Sequence, residues 1–233
     1  MYKYDLGIIG GMSSAATVEI YKRIIERTKH SADQEHIRIC ILNNSIIPDR
    51  TKCILEGTES PLPYINESIK DLEEIGAKNF IIACNTAHYF SDGFKFSKIN
   101  FINMIDETIC YVKNNFPNKT VCVLGTTGTI KTKVYHTNNN AFNIDFMYLN
   151  EDEQQTIMEV ITATKEDKNR NELREKLIKV IKNVRQRFSD VVYIIACTEL
   201  SLYFKDILKE ACAVDAMDCL VNSSIIKCGY RLK

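Results

Sequence analysis

The apolar positions of the chain follow two alternating patterns. Short runs of consecutive apolar residues predict buried β-strands at 6–9, 37–42, 80–83, 121–124, 142–148 and 191–196. Apolar residues at helical spacing predict helices from about Ser14, between Pro61 and Gly76, over 151–164 and over about 171–188. Strands that alternate with helices in this way are typical of an α/β fold with a mainly parallel sheet.

Parts of this pattern occur twice along the chain. The first predicted strand ends at Gly10-Gly11, and a later one ends at Gly125-Thr126-Thr127. Likewise, Ile81-Ile82-Ala83-Cys84-Asn85-Thr86 is similar to Ile194-Ile195-Ala196-Cys197-Thr198-Glu199. Both pairs are offset by about 115 positions, which favours a duplicated α/β unit over a chance similarity of short strands. The duplication places Cys84 and Cys197 at equivalent positions.

The composition argues against several classes of protein. Thirty basic and thirty acidic residues give a formal net charge of zero, whereas a protein that binds nucleic acid carries a basic surplus. No apolar run approaches the roughly 20 residues that span a bilayer, and the first five residues lack the apolar region of a signal peptide. We therefore expect a cytoplasmic protein that has neither a nucleic acid nor a membrane as its partner.

The cysteines point to the same compartment. The chain has nine of them and no CxxC pair, which fits neither a disulfide framework nor a thiolate metal site. We expect reduced thiols, most of them acting as small apolar core residues, and no bound metal.

Cys84 and Cys197 are the two cysteines whose surroundings predict chemistry. Each follows the end of a predicted strand, where an open parallel sheet places its ligand site. If the two halves face each other, the two sulfurs approach one ligand from opposite sides. Racemisation needs this arrangement, because a base removes a proton from one face of a carbon and an acid returns one to the other. Helices that begin after the cysteines would lower the thiol pKa, so we expect reactive thiols open to solvent.

Other interpretations of these residues stay open at this point. A cysteine at the end of a buried strand is often inert packing. His88 lies four residues after Cys84 and would share its helical face, so the pair resembles half of a metal site or a Cys–His nucleophile. Packing or hydrogen bonding at the edge of the cleft is the simpler role for His88. A third possibility is a sensor that binds an acidic amino acid without turnover, although binding alone needs neither thiol.

Six motifs in order resemble the aspartate racemase family of the aspartate/glutamate racemase superfamily, which works without pyridoxal phosphate. They extend over nearly the whole chain and are Gly7-Ile8-Ile9-Gly10-Gly11-Met12, Asp33-Gln34-Glu35-His36, Asn43-Asn44 followed by Ile47-Pro48-Asp49-Arg50-Thr51, Ala83-Cys84-Asn85-Thr86-Ala87-His88, Gly128-Thr129-Ile130 and Cys197-Thr198-Glu199-Leu200. Each motif alone is a weak signal, but their order makes the resemblance strong.

The resemblance implies an overall architecture. It implies an α/β fold of two similar, doubly wound parallel-sheet domains in a pseudo-twofold arrangement, with the site in the cleft between them. We expect residues 1–104 and about 209–233 to form the first domain and about 105–208 the second. The resemblance also implies a homodimer.

The resemblance implies roles for individual residues as well. Cys84 and Cys197 are implied to be the two acid/base residues, and no cofactor is implied. Arg50 is implied to bind the substrate's side-chain carboxylate with help from Lys165, although Thr164-Lys165-Glu166-Asp167 departs from the Lys-Ala-Gly sequence expected there. The residues implied to line the pocket and hold the α-carboxylate are Met12, Asn43, Asn85, Thr86, Thr126, Thr127 and Thr198.

Arg50 is also a good candidate on chemical grounds. A planar guanidinium holds a carboxylate with two parallel hydrogen bonds, which a lysine cannot do. The residue lies just beyond the strand predicted at 37–42, on the carboxyl edge of the sheet. The alternative is that Arg50 pairs with Asp49 or with a surface acid.

Two sequence differences favour aspartate over glutamate as the substrate. Glutamate racemases carry an Asp-Ser pair after the first strand, where this chain has Gly10-Gly11-Met12-Ser13, and a histidine after the second Cys-Thr, where it has Glu199. A hydantoin carries no carboxylate for Arg50 to bind, which argues against a hydantoin racemase. A glutamate racemase or a racemase of broad acidic specificity remains the alternative.

Overall fold

Two four-stranded parallel sheets carry the fold of this chain, whose computed structural model describes residues 2–137, 144–166 and 169–233. The strands of the first sheet are β1 (Tyr4–Gly10), β2 (Ile39–Asn43), β3 (Ala77–Ile82) and β4 (Asn100–Phe101). Those of the second sheet are β5 (Thr120–Gly125), β6 (Asp145–Met147), β7 (Val191–Ala196) and β8 (Ala213–Asp215).

Helices connect the strands. They are α1 (Ser14–Arg27), α2 (Arg50–Glu56), α3 (Leu62–Ile75), α4 (Met104–Asn115), α5 (Thr127–Thr132), α6 (Val134–Thr137), α7 (Glu151–Lys165), α8 (Arg170–Arg187), α9 (Phe204–Glu210) and α10 (Ala216–Lys227). Short 3-10 helices cover Asp33–Glu35, Thr86–Gly93 and Leu200–Tyr203. No helix among the described residues is both long and apolar enough to cross a membrane.

The two sheets have the same topology. The strand order is β2-β1-β3-β4 in the first sheet and β6-β5-β7-β8 in the second. Every pair is parallel, and the central pairs align Ile8 with Ile81 and Val123 with Ile194. The predicted α/β fold of two similar, doubly wound sheets is therefore confirmed. We refer to the elements β1 to α4 as the first half and to β5 to β8, with their helices, as the second half.

Local signals explain where several elements begin and end. Helix α1 begins at Ser14 as predicted, because Ser13 caps it by accepting a hydrogen bond from the Ala16 N–H. Helix α3 ends before Gly76, which adopts a left-handed conformation with φ of 90°. The strand predicted at 37–42 lies at 39–43. The one predicted at 142–148 is observed as β6, and residues 142–143 lie outside the described part of the chain.

The segments after the two candidate cysteines differ from the expectation. Each is followed by a 3-10 helix, starting at Thr86 in one case and at Leu200 in the other, rather than by an α-helix. Such short helices offer less of the aligned backbone dipole that stabilises a thiolate. The expected lowering of the thiol pKa by a helix N-terminus therefore has little structural basis here.

One buried core joins the two halves. The faces of both sheets contribute to it, and helices α1, α4, α6 and α10 supply most of the remaining apolar side chains. A second cluster packs α7 and α8 on the other face of the second sheet, and a third packs α3 on the first. Helix α10 contacts α1 and α4, whereas β8 joins the second sheet. The expected domain limits of 1–104 with about 209–233, and about 105–208, stay a prediction.

A buried ion-pair network connects α1 to the segment that follows Cys197. Arg23 on α1 donates hydrogen bonds to the carboxylates of Asp215 and Asp218, both at 2.6 Å. Asp215 caps α10 and accepts a hydrogen bond of 2.7 Å from the Ser201 hydroxyl. Because the network is largely buried, breaking one partner would leave an uncompensated charge, so it fixes the loop between β7 and α9 against α1.

Candidate active site

A small cavity lies at the carboxyl ends of the central strands of both sheets. Residues that follow β1, β3, β5 and β7 line it, which is where parallel α/β sheets bind ligands. The lining consists of Met12, Asp49, Arg50, Thr51, Ala83, Cys84, Asn85, Thr86, Thr126, Lys165, Cys197, Thr198 and Glu199. Both candidate cysteines are thus brought to one cavity. Its volume of about 20 Å³ is on the scale of one water molecule.

The cavity collects all but two of the residues predicted for the site. Asn43 is exposed and donates a hydrogen bond from its Nδ2 to the Ser14 hydroxyl, 3.0 Å away. Thr127 is the first residue of α5, and its backbone N–H lies 3.1 Å from the Met158 sulfur. Neither contributes to the lining. A pocket of about 550 Å³ adjoins the cavity and shares Met12 and Lys165 with it, along with Thr198 and Glu199.

Cys197 is held as a thiol by its surroundings. Its Sγ donates a hydrogen bond of 2.9 Å to Oε2 of Glu199, which also accepts one of 3.1 Å from the Thr198 hydroxyl. Burial, and then the negative charge of Glu199, raises the pKa of Cys197 well above its usual range, and the charge of Lys165 opposes this effect. The expectation of a low-pKa thiol open to solvent is therefore wrong for Cys197.

Cys84 is half-buried, and His88 holds the backbone next to it. The His88 Nδ1 lies 2.8 Å from the Cys84 carbonyl oxygen, and its Nε2 accepts a hydrogen bond of 3.2 Å from the Met104 N–H. Burial lowers the pKa of His88 to about 4, so the ring is neutral and Nδ1 is the donor. With both ring nitrogens engaged, His88 has none left to activate a thiol or to bind a metal. These contacts support a structural role for His88, in which it holds the backbone beside Cys84.

Arg50 is buried, and one of its three guanidinium nitrogens makes no hydrogen bond to the described residues. Its Nη1 donates to the carbonyls of Ile47 and Pro48, and its Nη2 donates to that of Met12 at 2.9 Å. The buried Nε has no hydrogen-bond partner among the described residues. Asp49 does not pair with the guanidinium but caps α2 by accepting from the Lys52 N–H. Arg50 thus lines the cavity with a guanidinium that Asp49 does not neutralise and with an Nε–H that no described residue uses.

Three threonine hydroxyls join the two halves beside the cavity. The Oγ1 atoms of Thr86, Thr126 and Thr129 lie 2.9 to 3.1 Å from one another. Thr86 follows Cys84, while the other two belong to the start of α5. Gly128 permits this approach, because a Cβ there would lie 3.1 Å from the Thr51 hydroxyl and 3.2 Å from Cγ2 of Thr86.

Three further residues of the site have weak or no signals in the sequence. Glu199 stands out only as a difference from glutamate racemases, and its contact with Cys197 is not predictable from that. Thr129 lies within a motif shared with the family, but only the fold brings its hydroxyl to Thr86. Tyr135 lies on α6, away from any strand end, and its hydroxyl reaches Asn85 across the two halves.

The contact between Cys197 and Glu199 leads to a prediction about thiol reactivity. Glu199→Gln replaces the carboxylate by a neutral amide of similar size, so we expect the pKa of Cys197 to fall and its thiolate fraction to rise. Peptide-resolved mass spectrometry after treatment with iodoacetamide over a series of pH values measures this. We expect Cys197 to react several-fold faster in the variant. The increase of its alkylation rate with pH should also begin at a lower pH than in the wild-type protein.

Exposed Cys110 is the internal control, because its alkylation rate should be the same in both proteins. If the rate at Cys197 is also unchanged while the circular dichroism spectrum is preserved, Glu199 does not govern the thiol.

Comparisons with known proteins agree with this architecture. The family described as Asp/Glu/hydantoin racemase matches residues 9–223. Picrophilus torridus aspartate racemase is 33% identical, with a TM-score of 0.87 over 98% of this chain and 95% of that one. An aspartate racemase homologue from Pyrococcus horikoshii OT3 is 22% identical, with a TM-score of 0.74 over 96% and 98%. Glutamate racemase from Francisella tularensis, solved with D-glutamate, is 18% identical, with a TM-score of 0.63 over 95% and 80%.

Proposed function

The chain belongs to the Asp/Glu/hydantoin racemase family and is an isomerase of the racemase type, and from that premise we propose that it interconverts L- and D-aspartate without a cofactor. Cys84 and Cys197 act as the two acid/base groups. The observation that carries this proposal is the convergence of both thiols and the buried guanidinium of Arg50 on one cavity. The two thiols can transfer protons at the α-carbon, and the guanidinium can bind the side-chain carboxylate of a dicarboxylate substrate.

The reaction exchanges one proton on each face of the α-carbon. On one face the thiolate of one cysteine takes the α-proton, so that a C–H bond breaks and an S–H bond forms. On the opposite face the thiol of the other cysteine gives up its proton, so that an S–H bond breaks and a C–H bond forms. The hydrogen bond from Cys197 to Glu199 supports Cys197 as the acid of the resting enzyme, which leaves Cys84 as the base in that direction.

The substrate carboxylates are held by separate groups. Arg50 binds the side-chain carboxylate through its Nε–H edge, and the positive charge of Lys165 assists. The α-carboxylate gains negative charge as the α-carbanion forms, so donors aimed at it stabilise the transition state. Residues that could supply these donors from the lining are Asn85, Thr86, Thr126 and Thr198.

Aspartate is the proposed substrate for two reasons. The relative at 33% identity is described as an aspartate racemase, and Glu199 stands where glutamate racemases carry a histidine. Activity on glutamate, or on both amino acids, is the alternative within the same fold. The homodimer implied by the resemblance and the cytoplasmic location expected from the sequence stay predictions.

The decisive test is L-aspartate incubated in D₂O with metal-free, cofactor-free protein. We expect loss of the α-proton by NMR and the appearance of D-aspartate by chiral chromatography, with glutamate at least about tenfold slower. The double variant Cys84→Ser/Cys197→Ser, purified alongside, excludes a contaminating racemase. If aspartate binds by calorimetry but neither signal changes, the protein is a sensor. Equal turnover of glutamate would instead establish the broad specificity.

A further inference from the structure

A fully buried tyrosine bridges the two halves beside Cys84. Tyr135 on α6 is 1% exposed, and its hydroxyl donates a hydrogen bond to Oδ1 of Asn85, which is 3% exposed. Burial raises the pKa of the Tyr135 hydroxyl well above its usual range, which favours the protonated form that donates this hydrogen bond. Asn85 follows Cys84 directly and lines the cavity.

This bond decides which end of the Asn85 amide is free. An amide side chain has an oxygen that accepts and a nitrogen that donates two hydrogen bonds. Tyr135 occupies the oxygen, and within the described chain no hydrogen bond leaves Nδ2 of Asn85. The donor end of the amide is thus the one left for a ligand in the cavity.

We propose that Tyr135 is a positioning residue, which fixes the Asn85 amide so that its Nδ2, and not its oxygen, meets a substrate carboxylate beside Cys84. This inference rests on the proposed function and deepens it. An amide oxygen turned toward a carboxylate would repel it, whereas the N–H groups of Nδ2 donate hydrogen bonds to it. Without the hydroxyl at position 135, either end of the amide can face the substrate.

The position of Tyr135 also couples this orientation to the contact between the halves. Tyr135 belongs to the second half and Asn85 to the first, so the hydrogen bond exists only while α6 lies against the loop after β3. The Asn85 Nδ2 is therefore positioned by the same contact between the halves that brings Thr86 to Thr126 and Thr129.

Tyr135→Phe tests the proposal, because it keeps the ring in the core and removes only the hydroxyl. We expect KM for L-aspartate to rise roughly tenfold or more, with a smaller change in kcat, since an amide that turns freely loses much of its selectivity for a carboxylate. The matched control is Tyr193→Phe, which removes a buried hydroxyl bonded to the Ile181 carbonyl on the outer face of the second sheet and should leave KM unchanged.

A double-mutant cycle separates positioning from a general structural role. If Tyr135 acts through Asn85, then Tyr135→Phe should change KM by less than about twofold in an Asn85→Ala background. An additive loss in the double variant, or an unchanged KM in the single variant, would overturn the proposal. Calorimetric binding of aspartate to the same variants keeps the test independent of turnover. A wild-type protein that binds aspartate without racemising it would therefore refute the proposed function but not this inference.

Discussion

Replacing either cavity cysteine by serine is expected to lower kcat for aspartate racemisation by roughly 10²- to 10⁴-fold in both directions. A serine hydroxyl has nearly the same shape as a thiol but is a far weaker acid, so it neither exists as a base nor returns a proton at neutral pH. The proposed two-thiol mechanism makes a further prediction for the variants Cys84→Ser and Cys197→Ser. Each variant keeps one functional thiol, so each should still exchange the α-proton of one enantiomer with D₂O without producing the other.

The enantiomer whose α-proton still exchanges should differ between the two variants. Proton NMR on L- and on D-aspartate measures exchange, and chiral chromatography on the same samples measures racemisation. Cys110→Ser serves as the control, because that thiol is exposed and does not line the cavity. Near wild-type racemisation by either cavity variant would refute the two-thiol mechanism.

Removing the guanidinium of Arg50 is expected to have the second largest effect. Arg50→Ala should lower kcat/KM for L-aspartate by roughly 10²-fold or more, because a carboxylate would lose a charged, two-point partner in a buried site. Arg50→Lys should fall between the wild type and the alanine variant, since lysine keeps the charge but not the planar edge. The measurement compares L-aspartate with L-alanine, which lacks the side-chain carboxylate.

The comparison of the two substrates distinguishes a loss of carboxylate binding from a structural defect. Arg50 also donates to the carbonyls of Met12 and Pro48, so the alanine variant affects the start of α2 as well as the ligand. A structural defect would reduce α-proton exchange of aspartate and alanine equally, and that result would reject the carboxylate-binding role. A selective loss for aspartate supports it. Arg38→Ala, which removes an exposed partner of Asp5, is the control for loss of an arginine elsewhere.

The sequence predicted six of the eight strands in the described part of the chain, because the signals of these six are local, and it missed the short edge strands β4 and β8. Buried strands such as β7 and helix limits such as Ser13 and Gly76 depend on residues next to them in the chain. The duplicated Cys84 and Cys197 motifs likewise follow strand ends, so the topology alone brings them to one edge. The structure adds the cavity in which they and most of the predicted site residues lie.

What the sequence could not supply depends on side-chain direction and on distant contacts. Asn43 and Thr127 are neighbours of site residues in the chain, yet one bonds to Ser14 and the other starts a helix, away from the cavity. The state of Cys197 depends on where the Glu199 side chain points, which the general rule about strand ends does not contain. The contact of Tyr135 with Asn85 spans the two halves and has no local pattern at all.

The packing of α10 against α1 and α4 has a consequence for how the protein folds during its synthesis on the ribosome. The second sheet and the helices between its strands come from one stretch of chain, residues 120–215, so the contacts among them are complete once that stretch has been made. The apolar sides of α1 and α4 stay uncovered until α10 has been synthesised. The ion pair of Arg23 likewise cannot form before Asp215 is made, 192 residues later. At about 5 to 20 residues per second, this delay is roughly 10 to 40 s. The first half, although it is synthesised first, thus completes its packing only after the second sheet has been made.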